Sequence, residues 1–448
     1  MIKYADSVWA GAGSDSVIGV GPAPDYRESQ TTSREYFVMS ALDEIWLPQN
    51  AIQCFDIVHC DPARGFPNHA AMAFGRGRFF VPTYINPKFM TDGDWQVYAG
   101  LLKWARRNQD VLQDTTVLTS RVELGEPYAY AHWSGTRGII AVRNPSNDSR
   151  EFTIGLAKAG APKELSDAVC YTQYPYRRGV MAGLDSGSSI ALDLAPWELV
   201  FLEIVPRSEL QEPVAIGARW YRDYKGNMRV SPEGSTTVRL LLPHTGERVV
   251  NTKGPAFENP RGKVRSQETN LLPMSDWFRQ CDKPLATASF RLDCEISIPE
   301  GAVGGQALLL LEFPGKDQFP TNCSCQVNGR GVPLEESSSM AHISDTTGGP
   351  SGAWKRLQPY ISHWTWYICR VEPGNASLRF SGMFPYDRCQ AGVWAWASWD
   401  LAQDAVPVSL KCPEPAMPQY HDQLKRHGVC VLSPRSLGGP SPVGGGSN

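Results

Sequence analysis

The feature that most constrains the fold is a change in the period of the apolar residues along the chain. Up to about residue 118, short apolar runs alternate with helix-like stretches; beyond Gly125 the chain is a succession of short β-like runs separated by turn residues. Residues 2–9, 51–59 and 78–85 read as strands or buried segments. A glycine-rich loop, Gly11-Ala12-Gly13-Ser14-Asp15, follows the first. Thr32 and Glu35 form a capping-box pair ahead of the apolar face of Tyr36, Phe37, Met39, Leu42, Ile45 and Trp46, and Pro48 stops that helix. A second helix is predicted over 94–112, with Thr91 and Asp94 at its cap. Strands alternating with helices imply a parallel α/β arrangement.

The β-rich remainder divides in two. Residues 128–133, 138–143, 151–156, 189–194 and 199–204 read as strands of an antiparallel sandwich of roughly 80 residues. Residues 206–266 read as a connector with a strand at 236–242, and 267–412 as a second β module. The Pro-, Gly- and Ser-rich tail, 413–448, is expected to be disordered.

Composition narrows the function classes. The net charge is −3 with 20% charged residues, so the basic footprint of a nucleic-acid binder is missing. No apolar stretch is long enough to cross a membrane as a helix, and the first residues lack the pattern of a signal peptide. Of 11 cysteines, nine lie beyond residue 160, and none has zinc-finger spacing; no metal or cofactor is expected. They read as buried thiols, with a disulfide such as Cys369–Cys389 as the alternative in an oxidising compartment. Six of the 14 tryptophans, Trp354, Trp364, Trp366, Trp394, Trp396 and Trp399, cluster between residues 354 and 399 of the second β module. The pairs spaced by two point to one face of their strands. They are either the core of a jelly roll or a saccharide-binding face, on which Trp399 beside Asp400 is the member expected to be exposed.

One set of segments is more specific. Tyr84-Ile-Asn-Pro-Lys-Phe-Met-Thr-Asp-Gly-Asp-Trp-Gln-Val-Tyr is followed by Leu101-Leu-Lys-Trp-Ala-Arg-Arg-Asn, Gly125-Glu-Pro-Tyr-Ala-Tyr-Ala-His-Trp and Gly138-Ile-Ile-Ala-Val-Arg-Asn-Pro. Together with Leu194-Ala-Pro-Trp-Glu-Leu-Val-Phe-Leu-Glu-Ile, this resembles α-galactosidase-like glycoside hydrolases of families 36, 27 and 31 over about residues 1–205. The resemblance implies the C-terminal part of a (β/α)8 TIM barrel in residues 1–118, a C-terminal β-sandwich in 119–205, and a second, jelly-roll-like sandwich in 267–412 that is a possible carbohydrate-binding module. It implies a retaining hydrolase of terminal α-linked sugars in the complete protein, secreted or periplasmic, with a carbohydrate as its partner and neither nucleic acid nor membrane. The alternative is a non-catalytic carbohydrate-binding or accessory protein.

By the same resemblance the general acid/base aspartate follows the sixth strand in a W-x-S-D type sequence. Trp9-Ala-Gly-Ala-Gly-Ser-Asp15 is the nearest match, with longer spacing and with Asp6 as competitor. Asp15 is therefore the candidate acid/base, its other reading being a turn or cap residue. Trp9 is a candidate sugar-stacking wall or a core residue, and Arg27 a hydroxyl-binding side chain or a surface arginine. Asp56, His59 and Asp61 fall around the expected seventh strand and Tyr84 on the eighth, all as candidate pocket residues. A helix cap or salt bridge is an equal reading of Asp61. No residue matches the nucleophile motif that the resembled families carry after the fourth strand.

Overall fold

The computed structural model describes residues 8–9, 28, 31–32, 34–35, 38, 49–53, 56–59, 65–78, 80–118, 122, 125–146, 149–195, 197–222, 227–232, 237–243, 246–251, 288–298, 304–313, 321–340, 363–384, 390–400, 406–411 and 425–432. The chain divides into two compact units, one made of residues 1–16, 31–259 and 400–426, the other of 17–30, 260–399 and 427–448.

The first unit begins with parallel strand pairs. Val8–Trp9 runs parallel to Ile52–Gln53, and Ile57–His59 runs parallel to Thr83–Ile85. Between the last two lies helix α1, Phe66–Gly75, so this segment is a strand–helix–strand crossover. Sequence periodicity did not reveal α1. Eight of its ten residues are buried, so it has no polar stripe to mark a helical period. Only Pro67 in its first turn marks the start. Helix α2, Asp92–Arg107, follows Thr83–Ile85. Its cap is as expected: the Thr91 hydroxyl accepts from the Asp94 amide while the Asp94 carboxylate accepts from the Thr91 amide. Acidic residues in its first turn and Arg106 and Arg107 in its last oppose the helix dipole. It ends at Arg107, before the expected 112, where Asn108 takes up the Trp104 carbonyl through its side chain. The Thr32/Glu35 capping box is not formed. Glu28, Thr31 and Thr32 are already helical, and the Glu35 carboxylate reaches Arg76 and Tyr130 instead.

A 12-stranded sheet forms the body of this unit. Its main path runs Gly246–Asn251, Thr237–Leu242, Val214–Ile216, Arg177–Leu184, Ala168–Tyr174, Leu199–Pro206, Arg137–Arg143, Tyr128–Ser134, Thr115–Leu118. Three of its central strands are buried along nearly their whole length, because both faces are covered. Tyr128, Tyr130, Ile139, Ala141, Leu199 and Phe201 face α1 and α2. Ala129, Ala131, Ile140, Val142, Val200 and Leu202 face the hairpin Arg150–Gly155/Ser189–Leu194, packing on Ile154, Ile190 and Leu192. The side-chain alternation is that of a strand, but both registers are apolar.

The segment expected to be a connector extends this sheet. Val214–Ile216, Ala218–Arg222, Asn227–Pro232, Thr237–Leu242 and Gly246–Asn251 are all its strands, with a third core around Tyr171, Leu210, Trp220, Met228 and Leu240. Val406–Lys411, expected in the second module, pairs with Asn227–Pro232 of the first unit.

The second unit holds a nine-stranded sheet in the order Arg330–Val332, Thr321–Val327, Gly374–Phe384, Ala288–Ile298, Lys425–Leu432, Gln390–Asp400, Gly304–Phe313, His363–Val371, Glu335–Met340. Cys294, Ile296 and Ile298 point inward beside Ala376, Leu378 and Phe380, while Asp293 lies on the outer face between Arg291 and Arg379. The tail expected to be disordered contains one strand, Lys425–Leu432, whose Val431 and Leu432 pair with Ala288–Ile298. The rest of that tail lies outside the described residues.

Two predictions follow from this packing. Trp104 anchors α2 to the sheet: its ring stacks on Phe201 at 4.7 Å and its indole N–H donates to Gln173 at 2.9 Å. Trp104→Ala should lower stability by about 3–5 kcal/mol in urea unfolding, against under about 0.5 kcal/mol for the exposed Gln96→Ala control. His132 sits at the seam, its Nε2–H donating to the Gly75 carbonyl at 2.9 Å and its Nδ1 lying 3.1 Å from the Thr115 hydroxyl. Burial lowers its pKa from 6.5 to about 4. The unfolded chain therefore takes up this proton first as pH falls. The stability concerned is complete above pH 6.5 and is lost towards pH 4, about 3 kcal/mol in all. Urea midpoints measured from pH 7 to 4 should fall, and His132→Gln should flatten the curve; an unchanged slope in that variant would show the reading wrong.

Candidate functional site

The parallel strands carry a set of charged and aromatic side chains between the crossover and the sheet. Arg76, just beyond α1, lies at the centre and is fully buried. Its Nε and one terminal nitrogen donate to Glu35 Oε1 at 2.7 and 2.5 Å, and the other terminal nitrogen donates to Asp56 Oδ1 at 2.5 Å. Arg78 lies on the other side of Asp56 at 3.2 Å. Tyr130 donates to Glu35 Oε2 at 2.5 Å. Its phenol is pushed well above the ordinary value, by burial first and by the Glu35 charge second, so it stays a donor. Next to it, Arg143 reaches the Thr32 hydroxyl at 3.0 Å and the Tyr128 hydroxyl at 3.2 Å, with its guanidinium over the Trp197 ring.

Glycines allow this centre to form. A Cβ on Gly75 would lie 2.8 Å from the Phe201 ring, and one on Gly77 would lie 2.5 Å from the His132 ring, with φ at +70° as well. The chain can bring Arg76 against the sheet only with glycine on either side. His69 adds a further tie. Its Nε2 accepts from the Val58 amide at 3.2 Å, so the proton sits on Nδ1, which faces the Thr31 hydroxyl at 2.8 Å.

The expected site residues separate into three groups. Asp56 and His59 are buried. Asp56 holds Arg76 and Arg78, and His59 donates from Nε2 to the Phe89 carbonyl at 3.1 Å with its ring 4.9 Å from that of Phe66. Tyr84 is 47% exposed on its strand, beside exposed Thr83, and Trp95 on α2 is 41% exposed. Tyr98 links these elements, donating to the Thr83 hydroxyl at 3.3 Å and meeting the Trp95 ring edge-on at 6.4 Å. Asp15, Arg27 and Asp61 lie outside the described residues. Trp9, Trp399 and Asp400 lie within strands, but their side chains are outside the description.

Glu35, Arg76 and Tyr130 were not identified from sequence. Glu35 sits at a helical position that periodicity assigns to a cap, and nothing local distinguishes a buried arginine from a surface one. The Gly75-Arg76-Gly77 triplet is the one legible signal. Among the described residues, Glu35 and Asp56 are two carboxylates converging on one cation, but both are closed to solvent and bonded to Arg76. Their chemistry is to hold the crossover on the sheet. The described surface able to meet a ligand is the aromatic rim of Tyr84, Tyr98 and Trp95. Among the described residues no group of acidic, histidine and cysteine side chains is placed to hold a metal ion.

The first unit thus defines a class of architecture: a parallel strand–helix segment docked through two helices on an antiparallel sheet. The chain has structural neighbours among α-galactosidase-like glycoside hydrolases. It aligns with the family-27 β-L-arabinopyranosidase of Geobacillus stearothermophilus, solved with arabinose, at 9% identity over 40% of this chain and 42% of that one, with a TM-score of 0.30. It aligns with α-galactosidase I of Mortierella vinacea at 8% identity over 32% and 35%, TM-score 0.25. With the α-galactosidase of Saccharomyces cerevisiae, solved with raffinose, identity is 10% over 34% and 45%, TM-score 0.25. The chain spans less than half the length of each of these enzymes. No protein-family model and no curated protein sequence matches it.

The buried centre predicts an order of effects. Arg76→Met leaves the buried Glu35 without its counter-charge and Asp56 with Arg78 alone, and should lower stability by about 3–5 kcal/mol. Glu35→Gln removes one charge but keeps one acceptor oxygen for Arg76, while its amide NH2 can donate to the Tyr130 oxygen, so its loss should be about half that or less. Urea unfolding at pH 7 reads both, and a Glu35→Gln loss equal to that of Arg76→Met would contradict the assignment of Arg76 as the centre.

Proposed function

We propose that this chain is the C-terminal part of a retaining glycoside hydrolase of the α-galactosidase type, acting on terminal α-linked sugars. The observation that carries the reading is the order of elements. The parallel crossover Ile57–His59, α1, Thr83–Ile85 is followed by α2 and then by an antiparallel sheet, which is the order the resemblance implies. Barrel active sites lie at the C-terminal ends of the parallel strands. In this reading Asp15 serves as general acid/base and Trp9, Arg27, Asp61 and Tyr84 line the sugar site. Tyr84 fits the task by its open aromatic face, which suits the C–H face of a pyranose. Asp56 and His59 act from behind: Asp56 fixes Arg76 and Arg78, and His59 fixes the turn after Thr83–Ile85.

A retaining mechanism needs two carboxyl groups about 5–5.5 Å apart, one of them a nucleophile. Glu35 and Asp56 do not meet this need, because each is bonded to Arg76 away from solvent. By the resemblance the nucleophile follows the fourth strand of the barrel, where no motif of this sequence matches, and neither Glu35 nor Asp56 takes its place. A second reading, a carbohydrate-binding role, is favoured by the second unit, whose strands His363–Val371 and Gln390–Asp400 carry Trp364, Trp366, Trp394, Trp396 and Trp399.

The test is an assay of residues 1–448 on aryl α-galactosides and related α- and β-glycosides, alongside saccharide binding by calorimetry. No turnover is expected, since acid–base catalysis alone supplies only about 10²- to 10⁴-fold. Weak saccharide binding should survive, and a loss of it in Trp399→Ala would assign it to the second unit. Turnover abolished by Asp15→Asn would instead mean that both carboxylates lie in this chain.

A further inference from the structure

We propose that Cys325 and Cys369 are a disulfide-forming pair that staples the second unit across its core under oxidising conditions. The two thiols come from distant places in the sheet. Cys325 is on Thr321–Val327, second in the strand order, and Cys369 is on His363–Val371, eighth of nine. Their sulfurs nevertheless lie 3.7 Å apart, both side chains buried to 1% exposure. The sheet therefore wraps so that its two ends meet at this point. A disulfide needs the sulfurs at about 2.05 Å, a closure of about 1.7 Å that side-chain rotation and a small strand shift can cover.

The surroundings favour this pairing. The third buried thiol, Cys294, lies close enough to interact electrostatically with the pair, but the direct sulfur contact is between Cys325 and Cys369. Cys325 donates its S–H to Cys369. That bond lowers the Cys369 pKa, while Cys325, donating and buried, is pushed up. The Cys369–Cys389 bridge considered from sequence has a competitor here; Cys389 lies outside the described residues.

The oxidant is an external disulfide, with oxidised glutathione as the probe. One thiolate of the pair attacks one glutathione sulfur, breaking that S–S bond and releasing one glutathione thiolate. The other cysteine loses its proton and displaces the second, forming the Sγ–Sγ bond. The two thiols give up two electrons and two protons, and the external disulfide becomes two thiols. Because both sulfurs are buried in the folded unit, this exchange occurs before the core closes.

The full chain refolded with oxidised glutathione, or isolated from an oxidising compartment, is alkylated and digested without reduction. The expected result is a peptide pair joined through Cys325 and Cys369, two hydrogens lighter than its reduced form. Cys294→Ser should retain the linked pair. The oxidised chain should melt about 10 °C above the reduced one, since the bridge closes a long loop in a unit of this size. Both thiols recovered alkylated under these conditions, or Cys369 joined to Cys389 or Cys294, would overturn the proposal. Mapping the wild-type chain decides the question even if serine variants fold poorly. It is independent of glycosidase activity.

Discussion

The first unit depends on a buried guanidinium. Arg76 stands where the crossover helix meets the sheet, and it is the shared partner of Glu35 from the preceding helix and Asp56 ahead of the parallel strand. A charge taken out of water this completely is tolerated only when its partners are equally fixed. That requirement ties together segments far apart in sequence: Glu35, Asp56, Arg76 and, through its hydroxyl, Tyr130. A geometric condition comes with it. Gly75 and Gly77 leave room for Phe201 and His132 to approach, so charge pairing and close packing are satisfied at one place. Burying polar groups this way contributes little net stability but penalises any misplaced arrangement of the crossover.

The sheet beneath that centre has no polar face along its central strands. Tyr128–Ser134, Arg137–Arg143 and Leu199–Pro206 are packed by helices on one side and by a hairpin on the other. The sheet is therefore a rigid platform, and the side chains open to a ligand must come from its margins and from the parallel segment. This is why the described candidate residues divide as they do. Those drawn into the interface between crossover and sheet, Asp56 and His59, are occupied with structural bonds, whereas Tyr84 and Trp95 stand outside it.

The second unit solves the same problem differently. Its strands Ala288–Ile298 and Gly374–Phe384 alternate, with Cys294, Ile296, Leu378 and Phe380 inside and Asp293 and Arg379 outside. Such a sheet covers its apolar face by wrapping over its own core. The meeting of Cys325 with Cys369 marks where the wrap closes, and it does so with the two side chains best able to make that closure covalent.

Much of this was legible in the chain itself. The Thr91/Asp94 cap and the strands 150–155 and 189–194 follow from local hydrogen bonding and from period-two alternation, which act over a few residues. What was not legible shares one cause. Helix α1 is apolar all round because tertiary contacts cover every side of it. Glu35 looks like a cap residue until Arg76 arrives from 41 positions away. The strands 168–174 and 177–184, and those of the supposed connector other than 237–242, lack a one-sided pattern because neighbours bury both of their faces or because Pro and Gly interrupt them. Local sequence determines which segments are helices and strands when one face remains in water. Only the tertiary structure decides which charges are buried, and with which partners, because that depends on bringing groups together over distances at which sequence carries no periodic signal.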